Sequence, residues 1–122
     1  MTHYLSLELR TRNFSISIIE LIKTINITLL NRAIISQLLR SSTSIGANYC
    51  EASESESRKD FVHKIYVCRK EARETKYWLN LLAQTNPEKS SDLRELWKET
   101  HEILLILASM SRVRQAQRSS HK

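Results

Sequence analysis

The sequence has very few of the residues that interrupt regular structure. Its 122 residues include one glycine, Gly46, and one proline, Pro87. A sheet protein needs turn residues about every 8–12 positions, so this composition argues against an all-β fold. It also excludes a glycine-rich phosphate loop. The remaining mixture, rich in leucine, isoleucine, glutamate, lysine and arginine, favours helix within a single domain.

Long apolar runs are missing as well. The longest, residues 103–108, falls far short of the ~20 residues that span a bilayer. The N-terminus has no basic stretch followed by an apolar segment and a cleavage site. We therefore expect a cytoplasmic protein with no membrane partner.

Cysteine is scarce, and we expect no disulfide. If the turn between the second and third segments centres near Ser55, Cys50 lies opposite Asp60 rather than Cys68. The offset of eight residues is about 12 Å along a helix, which is too far for an S–S bond. Both thiols are predicted to be reduced, with Cys68 a small core residue.

Catalytic arrangements are also lacking. His63 and His101 have no histidine or cysteine three or four residues further on, so no zinc pair is indicated. Glu71 and Glu74 lack the Glu-x-x-His partners of di-iron bundles, and no serine has a nucleophile-elbow context. The sequence predicts a protein that is not an enzyme and that holds no metal or cofactor.

Four amphipathic segments are present, and the third is the clearest. We expect it to form a helix over residues 58–84, capped by Ser57 with Asp60 three residues later. Its apolar and small positions alternate in steps of four and three, the seam of a helical bundle. These positions are Phe61, Ile65, Cys68, Ala72, Thr75, Leu79 and Leu82.

The other segments keep similar spacing. Their predicted core positions are Phe14, Ile18, Leu21, Ile22 and Ile25 in the first; Leu30, Ile34, Leu38, Ile45 and Tyr49 in the second; and Leu93, Leu96, Trp97, Thr100, Leu104, Leu107 and Met110 or Ser111 in the fourth. Short linkers near residues 26–28, 53–57 and 85–90 predict an all-α, antiparallel up-down-up-down four-helix bundle over residues 1–117. Residues 118–122 would then be a disordered basic tail.

The second segment allows two interpretations, because residues 41–46 form a poor helix sequence. Either the helix breaks near Gly46, or it continues and its small residues let a neighbouring helix approach closely. Periodicity alone favours continuity only weakly.

The net charge of +6 is unevenly placed. One basic group lies in the acid-free C-terminal stretch and contains Arg112, Arg114 and Arg118. A second group falls in one arc of the third helix, beside the apolar seam and together with Tyr66 and Tyr77. It contains Arg58, Lys59, Arg69, Lys70, Arg73 and Lys76.

Three interpretations fit this arc. It is a solvated face with local pairs such as Asp60–Lys64, or a subunit contact that closes into a ring, or a phosphate-binding stripe with tyrosines that stack on unpaired bases.

The residues 37–52, QLLRSSTSIGANYCEA, closely resemble the hallmark of the bacterial four-helix-bundle family known from the 23S ribosomal RNA intervening sequences. Residues 56–61 and 70–82 also resemble that family's third helix. The resemblance implies an antiparallel bundle that assembles as a homopentameric ring, with the second helix continuous through Gly46. The family has no established enzymatic activity.

A related branch, the accessory variability determinant of diversity-generating retroelements, binds nucleic acid and a reverse transcriptase through a basic pentamer surface. That role is not carried over to this chain. The family pattern marks Asn48, Glu51, Glu71, Glu74 and Trp78 as structural positions. We expect Asn48 and Glu51 to satisfy backbone groups of the turn after the second helix. Arg40 or Arg73 would pair with the two later glutamates across helices or subunits. Trp78 and Tyr77 are interpreted as packing or interface aromatics in preference to base-stacking groups.

Two functional hypotheses follow. The first is a ring-forming bundle that binds RNA or another nucleic acid through basic side chains. The second is a protein-interaction scaffold whose charged flanks are used in subunit and partner contacts, with Arg69, Arg73 and Lys76 buried between subunits.

Overall fold

The computed structural model describes residues 6–120, with side chains described as far as Ser111. Four α-helices follow one another along the chain: α1 (Leu7–Ile22), α2 (Arg32–Ser53), α3 (Arg58–Thr85) and α4 (Ser90–Ser120). A short 3-10 helix, Pro87–Lys89, precedes α4. No strand occurs in this part of the chain. The predicted all-α class is confirmed, and the four helices are consistent with a bundle.

Helix boundaries follow from local capping chemistry. The Ser57 Oγ accepts a hydrogen bond from the Asp60 backbone N–H at 3.1 Å, so α3 begins where the sequence predicted. The Ser6 Oγ accepts from the Leu9 N–H in the same way and starts α1. Pro87 opens the 3-10 turn, where its missing N–H costs nothing.

Each helix packs against its chain neighbours, and α1 also contacts α4. The most extensive contact joins α2 and α3. The Thr75 hydroxyl lies 3.0 Å from that of Ser41, and the Cys68 thiol lies 3.5 Å from the Ile45 carbonyl oxygen. The contacted positions therefore advance along α2 as they go back along α3.

The core contains the predicted seam. In α3 every predicted position is buried except Phe61, which is half-buried. The buried apolar positions of α1 and its following loop are Phe14, Ile18, Leu21 and Ile25. One cluster of buried side chains connects all four helices.

Two core assignments were incomplete or wrong. Leu30 was expected in the core but is 75% exposed, because α2 begins only at Arg32 and Leu30 lies in the preceding turn. Ile35 is buried instead. In α4 the sequence pattern missed Ile103, which is fully buried while its neighbour Leu104 is only partly so.

Residues 41–46 continue α2 without a break, as the resemblance implied. Their hydroxyls hydrogen-bond to carbonyl oxygens three or four residues earlier in the same helix, for example from Ser44 to Arg40 at 2.6 Å. These bonds satisfy polar groups that would otherwise destabilise a buried helix.

Gly46 allows α1 to approach α2. A β-carbon at this position would lie 3.1 Å from the Thr11 Oγ1 and 3.3 Å from its Cβ. Thr11 is itself buried. The small residues of α2 therefore serve close helix packing, the second of the two interpretations that the sequence left open.

Both cysteines are free thiols, as predicted. Cys50 is exposed, whereas Cys68 is fully buried. Burial raises the pKa of the Cys68 thiol to about 12, because the thiolate would lose its hydration.

Leu38 of α2 and Leu30 of the turn before it differ in burial, so their replacement by alanine should lower the free energy of unfolding by different amounts. Leu38→Ala removes a fully buried side chain and is expected to lower the free energy of unfolding by about 2–5 kcal/mol. Leu30→Ala is expected to change it by less than about 0.5 kcal/mol. Urea denaturation followed by circular dichroism measures both. Equal losses for the two variants would contradict the assigned burial.

Candidate nucleic-acid interface

The exposed side of α3 carries a row of basic and aromatic side chains that we call the basic stripe. It consists of Lys59, Tyr66, Lys70, Arg73 and Tyr77, all exposed. Their spacing of seven, four, three and four residues places them along one helical face about 27 Å long. Each tyrosine is 56% exposed.

The cations of the stripe form no ion pair in the described part of the chain, although Lys70 is near enough to Glu74 to interact with its carboxylate. Within the described side chains, Lys59, Lys70 and Arg73 form no ion pair and no hydrogen bond. The predicted Asp60–Lys64 pair is also absent there, because the Lys64 ammonium reaches Glu51 on α2 instead. The stripe is therefore a positively charged face whose cations are not ion-paired among the described side chains.

Two of the predicted basic residues point elsewhere. The Lys76 Nζ lies 3.0 Å from the His101 Nδ1 and 4.3 Å from the centroid of the Trp97 ring. Trp97 and His101 are stacked at 5.4 Å with an interplanar angle of 12°. Lys76 of α3 thus makes a cation–π contact with Trp97 of α4.

Arg69 is also drawn towards the interior of the chain. It is half-buried, and its Nε is shielded from solvent without a hydrogen-bond partner in the described region. The Trp97 indole N–H is in the same state. Of the six cations predicted on α3, Arg58 is exposed beside the helix start, three form the stripe, and Arg69 and Lys76 are partly covered.

Two acids of α3, Glu71 and Glu74, are paired within the chain, whereas Asp60 forms no ion pair among the described side chains. Arg40 of α2 forms ion pairs with both Glu71, at 3.2 Å, and Glu74. The Trp78 indole N–H donates to the Glu74 carboxylate at 3.1 Å. Arg40 is thus the arginine that pairs with both glutamates. Trp78 packs against the core, whereas Tyr77 is exposed.

This arrangement stabilises the ionised form of Glu74. The hydrogen bond from Trp78, followed by that from Arg40, holds the pKa of the Glu74 carboxyl below its usual value. The Glu74 carboxylate is thus bound by two side chains of its own chain, Trp78 and Arg40.

The side chains of Asn48 and Glu51 make structural contacts, but not with the backbone of the following turn, where they were predicted. The Asn48 amide donates to the Ser44 carbonyl oxygen at 2.8 Å, inside α2 and not in the following turn. Glu51 pairs with Lys64 and so fastens α2 to α3. Both residues point along or across the helix because α2 continues past them to Ser53.

Some contacts had no sequence signal at all. Arg10 of α1 binds Glu99 through two hydrogen bonds of 2.8 Å and reaches Glu102 at the same distance. These residues are about ninety positions apart, so no local spacing relates them. The pair fastens α1 to α4.

The basic C-terminal group lies outside the described side chains. Arg112, Arg114 and Arg118 follow the last residue with a described side chain, Ser111. Their part in an interface, and the domain limit between residues 117 and 118, stay predictions.

Two further properties bear on the site. In residues 6–120 no helix combines the length and the hydropathy of a membrane span. Over the same residues, histidine, cysteine, aspartate and glutamate do not gather in any group of three that would hold a metal ion.

Comparison with known proteins identifies relatives. A family model described as 23S rRNA-intervening sequence protein matches residues 5–109. A crystal structure from Bacteroides thetaiotaomicron, described as a protein with unknown function from the S23 ribosomal protein family, has a TM-score of 0.74 and 35% sequence identity. The match covers 86% of this chain and 97% of that one. No curated protein matches this chain significantly.

The Glu74 contacts generate a testable prediction. Trp78→Phe removes the indole donor, so the pKa of Glu74 is expected to rise towards its ordinary value. Ionised Glu74 stabilises the fold above the carboxyl's unfolded-state pKa, and this contribution is lost as pH falls through the lower folded-state pKa. In the variant the folded-state pKa lies closer to the unfolded-state pKa, so ionised Glu74 contributes less to the stability of the fold.

Side-chain carboxyl NMR titration measures the change. Tyr77→Phe is the matched control, because the adjacent Tyr77 ring contacts Trp78 at 4.9 Å without bonding to Glu74. An unchanged Glu74 pKa in Trp78→Phe would show that the indole does not hold the carboxylate.

Proposed function

This chain belongs to the 23S rRNA-intervening sequence protein family, and we propose that it is a non-enzymatic helical bundle that binds RNA or another nucleic acid through the basic stripe. The proposal places the protein in the cytoplasm as a homopentameric ring. It assigns no metal or cofactor.

The observation that carries the proposal is the division of charge on α3. Glu71 and Glu74 form ion pairs with Arg40, whereas the stripe's cations have no ion-pair partner among the described side chains. A row of free lysine and arginine side chains neutralises phosphates and releases counterions, which supplies most non-specific affinity for nucleic acid.

The two tyrosines of the stripe point to single-stranded substrate. Tyr66 and Tyr77 are eleven residues apart, about 16 Å along the helix, and each exposes more than half of its surface. Exposed aromatic rings stack on unpaired bases without needing a defined sequence. A rigid helix face does not fit the deep, narrow major groove of an RNA duplex. We therefore assign single-stranded or looped RNA as the preferred ligand.

The bundle topology is part of the proposal. We assign it as antiparallel and up-down-up-down. Support comes from the opposite order of contacts on α2 and α3, where Ser41 meets Thr75 and Glu51 meets Lys64. The short connections between α2 and α3 and between α3 and α4 fit the same topology.

A scaffold for protein contacts is the second candidate. Large aliphatic residues are exposed along α1, namely Leu9, Ile16 and Ile19, and such residues favour a surface that another protein covers. This hypothesis expected Arg69, Arg73 and Lys76 between subunits. Arg69 and Lys76 are already partly covered in the single chain, and Arg73 is exposed.

Removal of two stripe cations tests the nucleic-acid proposal. We expect Lys70→Ala/Arg73→Ala to weaken binding to a fluorescent single-stranded RNA. The slope of log affinity against log salt should become shallower by about 1.4, since each lost contact removes ~0.7. Fluorescence anisotropy across a salt series measures both quantities.

The matched control is Arg12→Ala/Lys23→Ala, which removes an exposed arginine of α1 and the exposed lysine that directly follows this helix. It should keep the wild-type slope. No affinity of the wild type even at low salt would refute RNA binding, and equal losses in both double variants would remove the stripe from the interface.

The ring proposal has its own measurement. Light scattering on the purified chain is expected to give five times the mass of the 14.3 kDa protomer. Any other closed number would refute the pentamer, and a monomer would refute the ring. Stoichiometric metal in the same sample would contradict the assignment of no metal.

A further inference from the structure

The loop between α1 and α2 presents three aliphatic side chains to solvent, which we call the apolar knuckle. Leu29 is 87% exposed, Leu30 is 75% exposed and Ile27 is 52% exposed. They lie within four consecutive residues at one end of the bundle. Exposed apolar clusters of this kind mark surfaces that another molecule covers.

The knuckle is held in one conformation by a buried amide. Asn31 is 1% exposed, and its side chain accepts from the Thr28 N–H at 2.7 Å and donates to the Asn26 carbonyl at 2.9 Å. It also donates to the Asn86 side chain at 3.1 Å, which ties the loop to the turn before α4. A loop ordered before binding loses little entropy on association.

A groove at the same end offers a complementary surface. It lies between α1 and α4 and encloses about 440 Å³. Ile16, Leu21 and Leu96 form its apolar part. Its polar lining includes Glu20, Asp92 and Glu95 together with a single basic residue, Lys89. The groove is thus apolar inside with a partly acidic border. Glu20 and Glu95 are ion-paired with Lys23 and Lys98, whereas Asp92 forms no ion pair among the described side chains.

Charge and position match the knuckle to this groove. Arg32 is exposed and follows the knuckle directly, so an inserted knuckle brings a cation to the acidic border. Both surfaces lie near the turn that Asn86 and Lys89 occupy. A head-to-tail contact, in which one surface of a copy binds a different surface of the next, closes into a ring when the rotation between copies allows it.

We propose that the apolar knuckle of one copy inserts into the α1–α4 groove of a second copy. The proposal rests on the proposed ring and names the contact that builds it. The basic stripe lies on α3, which is not among the elements that form either surface, so RNA binding and assembly use separate faces.

Two interface variants test the contact. Leu29→Arg/Leu30→Arg destroys the knuckle and leaves the groove intact. Ile16→Arg/Glu95→Arg destroys the groove and leaves the knuckle intact. All four positions are exposed, so the fold should persist, and circular dichroism checks this. Each variant is expected to be monomeric in light scattering, with the dissociation constant raised about a hundredfold or more.

Mixing the two variants gives the decisive result. One native knuckle and one native groove then remain, so an equimolar mixture should form a 1:1 heterodimer that cannot grow further. The matched control is Leu39→Arg/Leu105→Arg, which alters two other exposed leucines and should assemble like the wild type.

The remaining outcomes overturn the inference. If the knuckle variant still forms the ring, the ring uses another contact and the knuckle serves a different protein. If both variants dissociate but their mixture stays monomeric, the knuckle and groove do not bind each other. A monomeric wild type would refute ring and contact together, and the RNA titration would still report separately on the basic stripe.

Discussion

The close contact of α2 with α3 is the constraint on which the rest of the molecule depends. Small side chains meet where the helices approach most closely, as in the buried pair of Ser41 and Thr75. The Ser41 hydroxyl donates to the Leu38 carbonyl oxygen, and the Thr75 hydroxyl can donate to Ser41 or to the Glu71 carbonyl oxygen. Neither buried hydroxyl therefore lacks a hydrogen-bond partner. This contact fixes one register between α2 and α3.

The register determines the charge pattern of the surface. It places Arg40 opposite Glu71 and Glu74 and places Glu51 opposite Lys64. Glu71 and Glu74 are thereby paired within the chain. The cations of the basic stripe form no ion pair among the described side chains, and the proposed binding of nucleic acid rests on this difference.

Helix α4 divides its flanks in a similar way. On the side of α4 that faces α3, Trp97 and His101 contact Lys76. On the side that faces α1, Glu99 and Glu102 form ion pairs with Arg10. Acids nearer the start of α4 line the α1–α4 groove. One helix thus supplies an aromatic contact to one neighbour and an acidic surface to the other.

The sequence by itself determined the helices and most of the core. Steps of four and three residues place Ile65, Ala72 and Leu79 on one side of any α-helix, whatever surrounds it, and Ser57 marks where that helix starts. The same periodicity misjudged Leu30, because it does not say where α2 begins. Only the tertiary structure decided which charged side chains form ion pairs within the chain. Partners such as Arg10 and Glu99 are brought together by packing across the bundle, and no local pattern encodes a contact between residues so distant in the chain.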